Sequence, residues 1–354
     1  MKILVLSKYS RKGASSRYRM FQYFPYLQEQ GVELTTEALF NDGYLDRLYS
    51  KKSRLWSVFK AYIHRLQVLL FARDFDILWI EKELFPWIPW FFERWFLRRL
   101  QTPYIVDYDD AIFHQYDTHR AAWVRKLLGT KCDQVMGSSE VVVAGNEYLA
   151  TRGRRAGAKK VITIPTVVSE KVFMPKEIEN PIPIIGWIGS MSTAIYLEKL
   201  RPVLFELSQK YSFKFRVVGA TVEWSEVPVE SLPWSEDQEV VLVQSFDMGV
   251  MPLLDSPWER GKCGFKLIQY MACGKAVIAD PVGVNSEIVE DGKTGYLVTQ
   301  QKSWYEALER LLMDAPKKAQ MGRYGRERFE TQYSLEHWQS FLYKLFQECS
   351  LKNR

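Results

Sequence analysis

Short apolar runs alternate with helix-spaced apolar positions along nearly the whole chain. Residues 2–7, 77–81, 104–107, 134–137 and 161–164 are runs of strand length and read as buried strands of one sheet. Residues 184–188, 215–218, 248–251 and 276–279 form a second series of the same kind. Helical patterns separate most of these runs, and strand–helix alternation predicts parallel sheets covered by helices. Two series predict an α/β protein with two doubly wound domains. The stretch 165–183 holds Pro165, Pro175, Pro181 and Pro183 and reads as their connector. The expected division is residues 1–167, residues 168–334, and a final helix within 335–354 that crosses back to the first domain. Trp338, Phe341, Leu342, Leu345 and Phe346 mark the apolar side of that helix. Ligands of open parallel sheets bind outside the carboxyl ends of the strands. Two such domains facing a central cleft would place the substrate there.

A length of 354 residues exceeds one ordinary core and agrees with two domains. With 48 basic against 42 acidic residues the net charge is +6, a balance that suits an anionic ligand or an anionic membrane surface. It is too weak and dispersed to argue for nucleic acid. Cys132, Cys263, Cys273 and Cys349 form no CxxC pair and no cluster with histidine. That spacing argues against a disulfide framework or a zinc site and points to a reducing, cytoplasmic setting. The opening apolar run is too short for a signal peptide. Residues 84–100 come nearest to a membrane span, but Pro86, Pro89, Glu93, Arg94, Arg98 and Arg99 interrupt them. None of His64, His114, His119 and His337 has metal-ligand spacing, and only His114 lies near other chemistry in the chain.

Residues 246–298 carry the densest chemistry. Residues 264–273 read as a short helix with Phe265, Ile268, Met271 and Ala272 inward, ended by Gly274. Lys266 falls in its first turn, and Arg260 and Lys262 just precede it. Cations at a helix N-terminus oppose the macrodipole. A bound diphosphate explains three of them there; a solvated basic loop is the alternative.

In the first half, Gly13, Ser15 and Arg17 lie in a small loop opening a helix, with Ser16 and Arg19 beside them. Such a loop allows close approach to a ligand, although Ser15 or Ser16 would also serve as an N-cap. Arg17 or Arg19 is placed to reach an anionic substrate. Asp107, Asp109 and Asp110 cluster at the end of a strand, where carboxylates are unfavourable unless solvated, paired or used. Asp109 or Asp110 is expected to orient a sugar; a strand-end turn with capping is the alternative. The Asp-x-Asp pattern lacks the further partners that a divalent cation needs, so no metal is expected. The basic stretch 51–73, with Lys51, Lys52, Arg54, Lys60, Arg65 and Arg73, and Trp87, Trp90 and Trp95 within 84–100 together suit peripheral membrane contact. Ordinary helix packing is the bland reading of the same residues.

The segment YMACGKAVIAD, from Tyr270, and the segment GVNSEIVEDGKTGYLV, from Gly283, resemble the nucleotide-sugar-binding signature of glycosyltransferase family 4. Residues 165–175 resemble that family's domain connector, and residues 185–190 its second-domain phosphate loop. The resemblance implies a GT-B fold. It also implies retaining transfer of a sugar from a nucleoside diphosphate sugar to a hydroxyl acceptor, with no metal or other cofactor. The acceptor would be a glycan or lipid-linked molecule of cell-surface polysaccharide or glycolipid assembly. On these positions Gly189, Ser190, Arg260, Lys262, Lys266 and Gln269 become donor-binding candidates. Asp109 stands where the family often has a histidine, and with Asp110 it is the catalytic candidate. The branch is divergent: the family's two glutamates, eight positions apart, correspond to Gly261 and Gln269, and residues 190–193 replace its usual Arg and Lys. Lys262 and Lys266 are placed to replace those missing cations. A non-catalytic scaffold that binds nucleotide sugars is the rival reading; a sugar-nucleotide epimerase has no distinctive residue behind it.

Overall fold

A computed structural model of the chain describes residues 1–44 and 55–351. Its strands form two six-stranded sheets. The first contains β1 (Lys2–Leu6), β2 (Glu33–Thr36), β3 (Ile77–Glu81), β4 (Tyr104–Tyr108), β5 (Val141–Ala144) and β6 (Val161–Thr163), in the order β2-β1-β3-β4-β5-β6. The second contains β7 (Ile184–Ile188), β8 (Lys214–Val218), β9 (Val229–Leu232), β10 (Met248–Met251), β11 (Ala276–Ala279) and β12 (Gly295–Leu297), in the order β12-β11-β10-β7-β8-β9. Every neighbouring pair is parallel.

The interior strands β3, β4, β5, β7, β10 and β11 are buried at every position. Helices on both faces of a parallel sheet demand that, and it is why these strands are apolar runs rather than alternating patterns. The edge strands β2 and β9, Glu-Leu-Thr-Thr and Val-Glu-Ser-Leu, are polar and partly exposed. Without a continuous apolar run they leave little signal in the sequence.

One expected strand is wrong. Residues 134–137 lie in the helix Lys131–Ser138, and the strand is Val141–Ala144. Both stretches are short and apolar, and periodicity alone does not separate such runs. The β-branched run Val-Val-Val takes the sheet position. Cys132, Val135 and Met136 cover the sheet from the helix.

The chain divides into two compact units, Met1–Thr166 with the chain from Trp338 onward, and Val167–His337. The final helix, Leu335–Leu351, therefore starts in the second unit and continues in the first. There Leu342, Leu345 and Phe346 are buried, and the Phe346 ring sits 5.0 Å from that of Trp79. Phe341, expected inward, is exposed.

Strand order reverses once in each sheet. β1 has β2 on one side and β3 on the other; β7 has β8 on one side and β10 on the other. Helices diverge to opposite faces at such a point, and the carboxyl ends of those strands are left open for a ligand. All four cysteines are buried. Among the described residues no helix is long and apolar enough to cross a membrane.

Candidate functional site

In the second unit β7 ends at Ile188, and Gly189 and Ser190 follow at the reversal point. The Gly189 amide continues the ladder to the Val218 carbonyl at 3.0 Å. The Ser190 carbonyl accepts from the Thr193 and Ala194 amides, and the Ser190 and Ser192 hydroxyls lie 2.8 Å apart. Two glycines make this turn possible. A Cβ on Gly189 would fall 2.6 Å from the Trp187 ring and 2.9 Å from Cε of Lys266. Gly219, after β8, holds φ +84°, and a Cβ there would lie 2.3 Å from the Gly189 carbonyl oxygen. Gly219→Ala is thus expected to destabilise the unit by about 1–3 kcal/mol, from left-handed backbone strain and from contact with the loop. A lowered melting temperature is the result to look for.

Lys266 is the second residue of the helix Phe265–Ala272, whose N-cap Gly264 has φ +62°. Its ammonium lies 5.4 Å from the centre of the Trp187 ring, and its aliphatic chain runs against Gly189. The structure therefore brings Lys266 and Gly189 together at the reversal point, from positions 77 apart in sequence. Lys262 is half-buried just before this helix. Arg260 is turned to Asp255, with Nε at 2.7 Å and Nη2 at 3.1 Å from its two oxygens. Its charge is thus already opposed by a carboxylate, unlike the expected cluster of three cations. Gln269 differs more. It is 1% exposed and donates from Nε2 to Glu239 Oε1 at 2.7 Å. Its amide satisfies a buried carboxylate. Phe265, expected inward, is half-buried.

Two acidic groups border this region. Glu259 is buried and accepts from the hydroxyls of Tyr196 and Ser256. Burial pushes its carboxyl up, but those two hydroxyls, its own backbone amide and Lys262 together outweigh burial and hold the group below its ordinary value. Asp280, just beyond β11, pairs with Lys199 and accepts from the Leu253 amide at 2.9 Å. Burial dominates there and raises its carboxyl despite the lysine.

In the first unit the reversal point is more highly charged. Lys82 follows β3 with φ +65°, a left-handed backbone unusual for a side-chain-bearing residue. Its buried ammonium is 2.7 Å from Asp109, 3.9 Å from Glu81 and 4.0 Å from Asp110. It also donates to the Ser15 hydroxyl at 3.3 Å, and Ser15 in turn donates to Asp109. Ser16 donates to Glu81 at 2.6 Å and accepts from the Tyr9 amide at 3.1 Å. Desolvation works against the charge on Lys82, but Asp109 and the other carboxylates outweigh it and raise its pKa. Burial pushes Asp109 up, and Lys82 with Ser15 offsets that, leaving the carboxyl below its usual range. Asp110 is the most open of the three acids, with 32% of its side chain exposed.

Gly13 packs tightly, since a Cβ there would lie 2.5 Å from that of Tyr9. The two arginines beside this loop are both buried. Arg19 is buried, bidentate to Asp107 at 2.7 and 3.1 Å, and donates to the Ile164 carbonyl at 2.8 Å. Burial raises Asp107 to about 6 even with Arg19 beside it. Arg17 is buried, donates to the Arg11 carbonyl at 3.2 Å and stacks on Tyr18. Each aspartate of the Asp-x-Asp pattern thus faces its own cation, Arg19 or Lys82, an arrangement that suits ion pairing rather than a shared metal ion. His114 is held by Asp117 at 2.9 Å and the Tyr148 hydroxyl at 2.8 Å. Lys82 was not flagged in the sequence. The signal was present, however: Glu81-Lys82-Glu83 places three charges at the end of an apolar strand.

Residues 182–314 match the family described as "Glycosyl transferases group 1". A stretch of 123 residues, 34% of this chain, is 29% identical to the D-inositol 3-phosphate glycosyltransferase of Pseudarthrobacter chlorophenolicus, and covers 28% of that protein's length. Among solved structures, the sucrose-phosphate synthase of Thermosynechococcus elongatus superposes with a TM-score of 0.72 at 15% identity, covering 98% of each chain. The Anabaena protein HepE, in complex with UDP-glucose, superposes with a TM-score of 0.68 at 15% identity over 100% of each chain. These likenesses establish the fold, two Rossmann-like units of the GT-B type.

Proposed function

We propose that the protein is a glycosyltransferase moving a sugar from a nucleoside diphosphate sugar to a hydroxyl acceptor. The observation that carries this reading is Lys266 lying across Gly189 and Trp187 at the reversal point of the second sheet. The whole arrangement falls within the stretch that matches group 1 glycosyltransferases. In the reaction the anomeric C–O bond to the diphosphate breaks, and the leaving diphosphate takes the electron pair. A bond forms to the acceptor oxygen, whose proton passes to the departing phosphate. Charge accumulates on that phosphate, so a preorganised ammonium there assists the step. Lys266 is the group we assign to that role, with Lys262 beside it and the Gly189–Ser190 turn giving the phosphates close access to backbone.

The acceptor is assigned to the Ser15, Asp109 and Asp110 region of the first unit. Three carboxylates around one ammonium favour a neutral, hydroxyl-bearing ligand over an anion. The resemblance to glycosyltransferase family 4 supports retention of configuration and a glycan or lipid-linked acceptor in surface-polysaccharide or glycolipid assembly, on the cytoplasmic side. HepE was solved with UDP-glucose, so uridine diphosphate sugars head the donor panel.

Calorimetric binding of UDP, GDP and ADP, followed by transfer assays with the matching sugars, tests the reading. Saturable binding of one nucleoside diphosphate with turnover of its sugar supports it, and no binding to any of them overturns it. Binding without transfer to any acceptor favours the non-catalytic scaffold, the direction in which Gly261 and the buried Gln269 point. We expect donor binding and transfer to survive EDTA, since Asp107 and Asp109 are each paired with a cation. Loss with EDTA and recovery with manganese would contradict that expectation.

A further inference from the structure

The helix Leu55–Leu70 is turned the wrong way for a helix whose purpose is to cover a sheet. Trp56, Phe59, Ile63 and Leu70 are exposed, at spacings of 3, 4 and 7 residues that place them along one stripe. The inward side carries Arg65, buried and donating to the Ser7 and Glu37 carbonyls. Two more helices of the first unit share the habit. Trp90–Leu100 exposes Phe91 and Trp95, and Ala122–Leu128 exposes Trp123 and Leu127.

These helices belong to one side of the sheet. The connections β2 to β3, β3 to β4 and β4 to β5 all move in the same direction across it. Right-handed crossovers that move the same way lie on the same face. Residues of the intervening loops link them. Tyr62 meets Phe85 at 5.6 Å, Phe85 meets Phe92 at 5.5 Å, and Trp87, itself exposed, meets His119 at 5.8 Å just before the third helix.

The exposed lysines and arginines of these three helices have no exposed carboxylate among them. The three helices contain a single carboxylate, Glu93, which is buried beside Lys131. Their exposed ionic residues are Lys60, Arg94, Arg98, Arg99, Arg125 and Lys126. Lys60 lies over the Trp56 ring at 5.4 Å and Arg99 over that of Trp95 at 5.9 Å. Lys51, Lys52 and Arg54 of the basic stretch lie outside the described residues and are not needed for this count.

We propose that this aromatic, basic face docks the protein on an anionic lipid bilayer. Amphipathic rings settle at the headgroup level while cations meet anionic lipid. A second copy of the chain fits less well, because a two-fold contact would set this face against itself and oppose like charges. The inference stands apart from sugar transfer and is tested without it.

The full chain is floated with vesicles of phosphatidylcholine alone and with phosphatidylglycerol added, at low and high salt. Binding is expected to the anionic vesicles and to weaken with salt as screening shortens the reach of charge. Each arginine near a charged surface is worth about five-fold in partition, so Arg94→Gln with Arg98→Gln and Arg99→Gln should lower it about a hundred-fold. Trp56→Ser with Trp95→Ser keeps the charge and should also release the protein. Because all five side chains are exposed, unchanged melting temperatures are expected and separate lost docking from lost folding. Equal binding to both vesicle types, no binding to either, or wild-type partition by both variants overturns the proposal. So does concentration-dependent dimerisation that the tryptophan variant abolishes.

Discussion

Lys266→Ala binds nucleoside diphosphate about ten-fold to a hundred-fold more weakly than the parent chain: that is the expected result in a calorimetric titration. A charge-assisted contact is worth about 1.5–3 kcal/mol, and that energy sets the range. The free nucleoside should bind with little change, because the lysine addresses the diphosphate. Stability should barely move. The side chain is half-buried, and what it loses is an aliphatic chain along Gly189 and a cation over Trp187. Unchanged diphosphate affinity would place the phosphates elsewhere, and the Ser190–Thr193 turn would be the next region to probe.

Lys82→Met has the second large effect, on both stability and transfer. Removing one partner of a buried ion pair leaves uncompensated charge and costs about 3–5 kcal/mol. Here it strands Asp109 and Glu81 together. In the parent, Lys82 helps to keep the Asp109 carboxyl below its ordinary value. That contribution to stability is present above the unfolded-state value and lost as pH falls. In the variant burial is opposed only by the Ser15 hydroxyl and Arg19, so the folded carboxyl should rise. The deficit should then be largest near pH 7 and shrink as acid protonates the group. Urea denaturation from neutral to acid pH measures it. Sugar transfer should be lost while nucleoside diphosphate still binds the second unit, because no residue of that unit has changed. A variant as stable as the parent at neutral pH would mean that these carboxylates are not held by Lys82.

Particular residues show where sequence reasoning succeeded. The interior strands were legible because burial on both faces makes them continuous apolar runs, as at Ile77–Glu81 and Ile184–Ile188. The place of Lys266 in a first helical turn was legible from the helical spacing of the apolar residues after Gly264. The edge strands Glu33–Thr36 and Val229–Leu232 were missed because an exposed edge need not be apolar. Arg19 was misjudged because a buried arginine and a surface one read alike in sequence. Only its bidentate contact with Asp107 distinguishes them.

The sequence by itself determined that the chain is α/β, with two series of strands and a chemistry-rich segment following residue 246. Those features follow from local apolarity, glycine placement and charge spacing along the chain. Only the tertiary structure decided the partners. It set Lys266 against Gly189, Lys82 among Asp109, Asp110, Glu81 and Ser15, and Gln269 on Glu239. It also turned the apolar stripe of Leu55–Leu70 toward solvent. Periodicity establishes that a helix has an apolar side, but which side faces the sheet depends on crossovers and pairings between distant residues, and a one-dimensional pattern does not contain those.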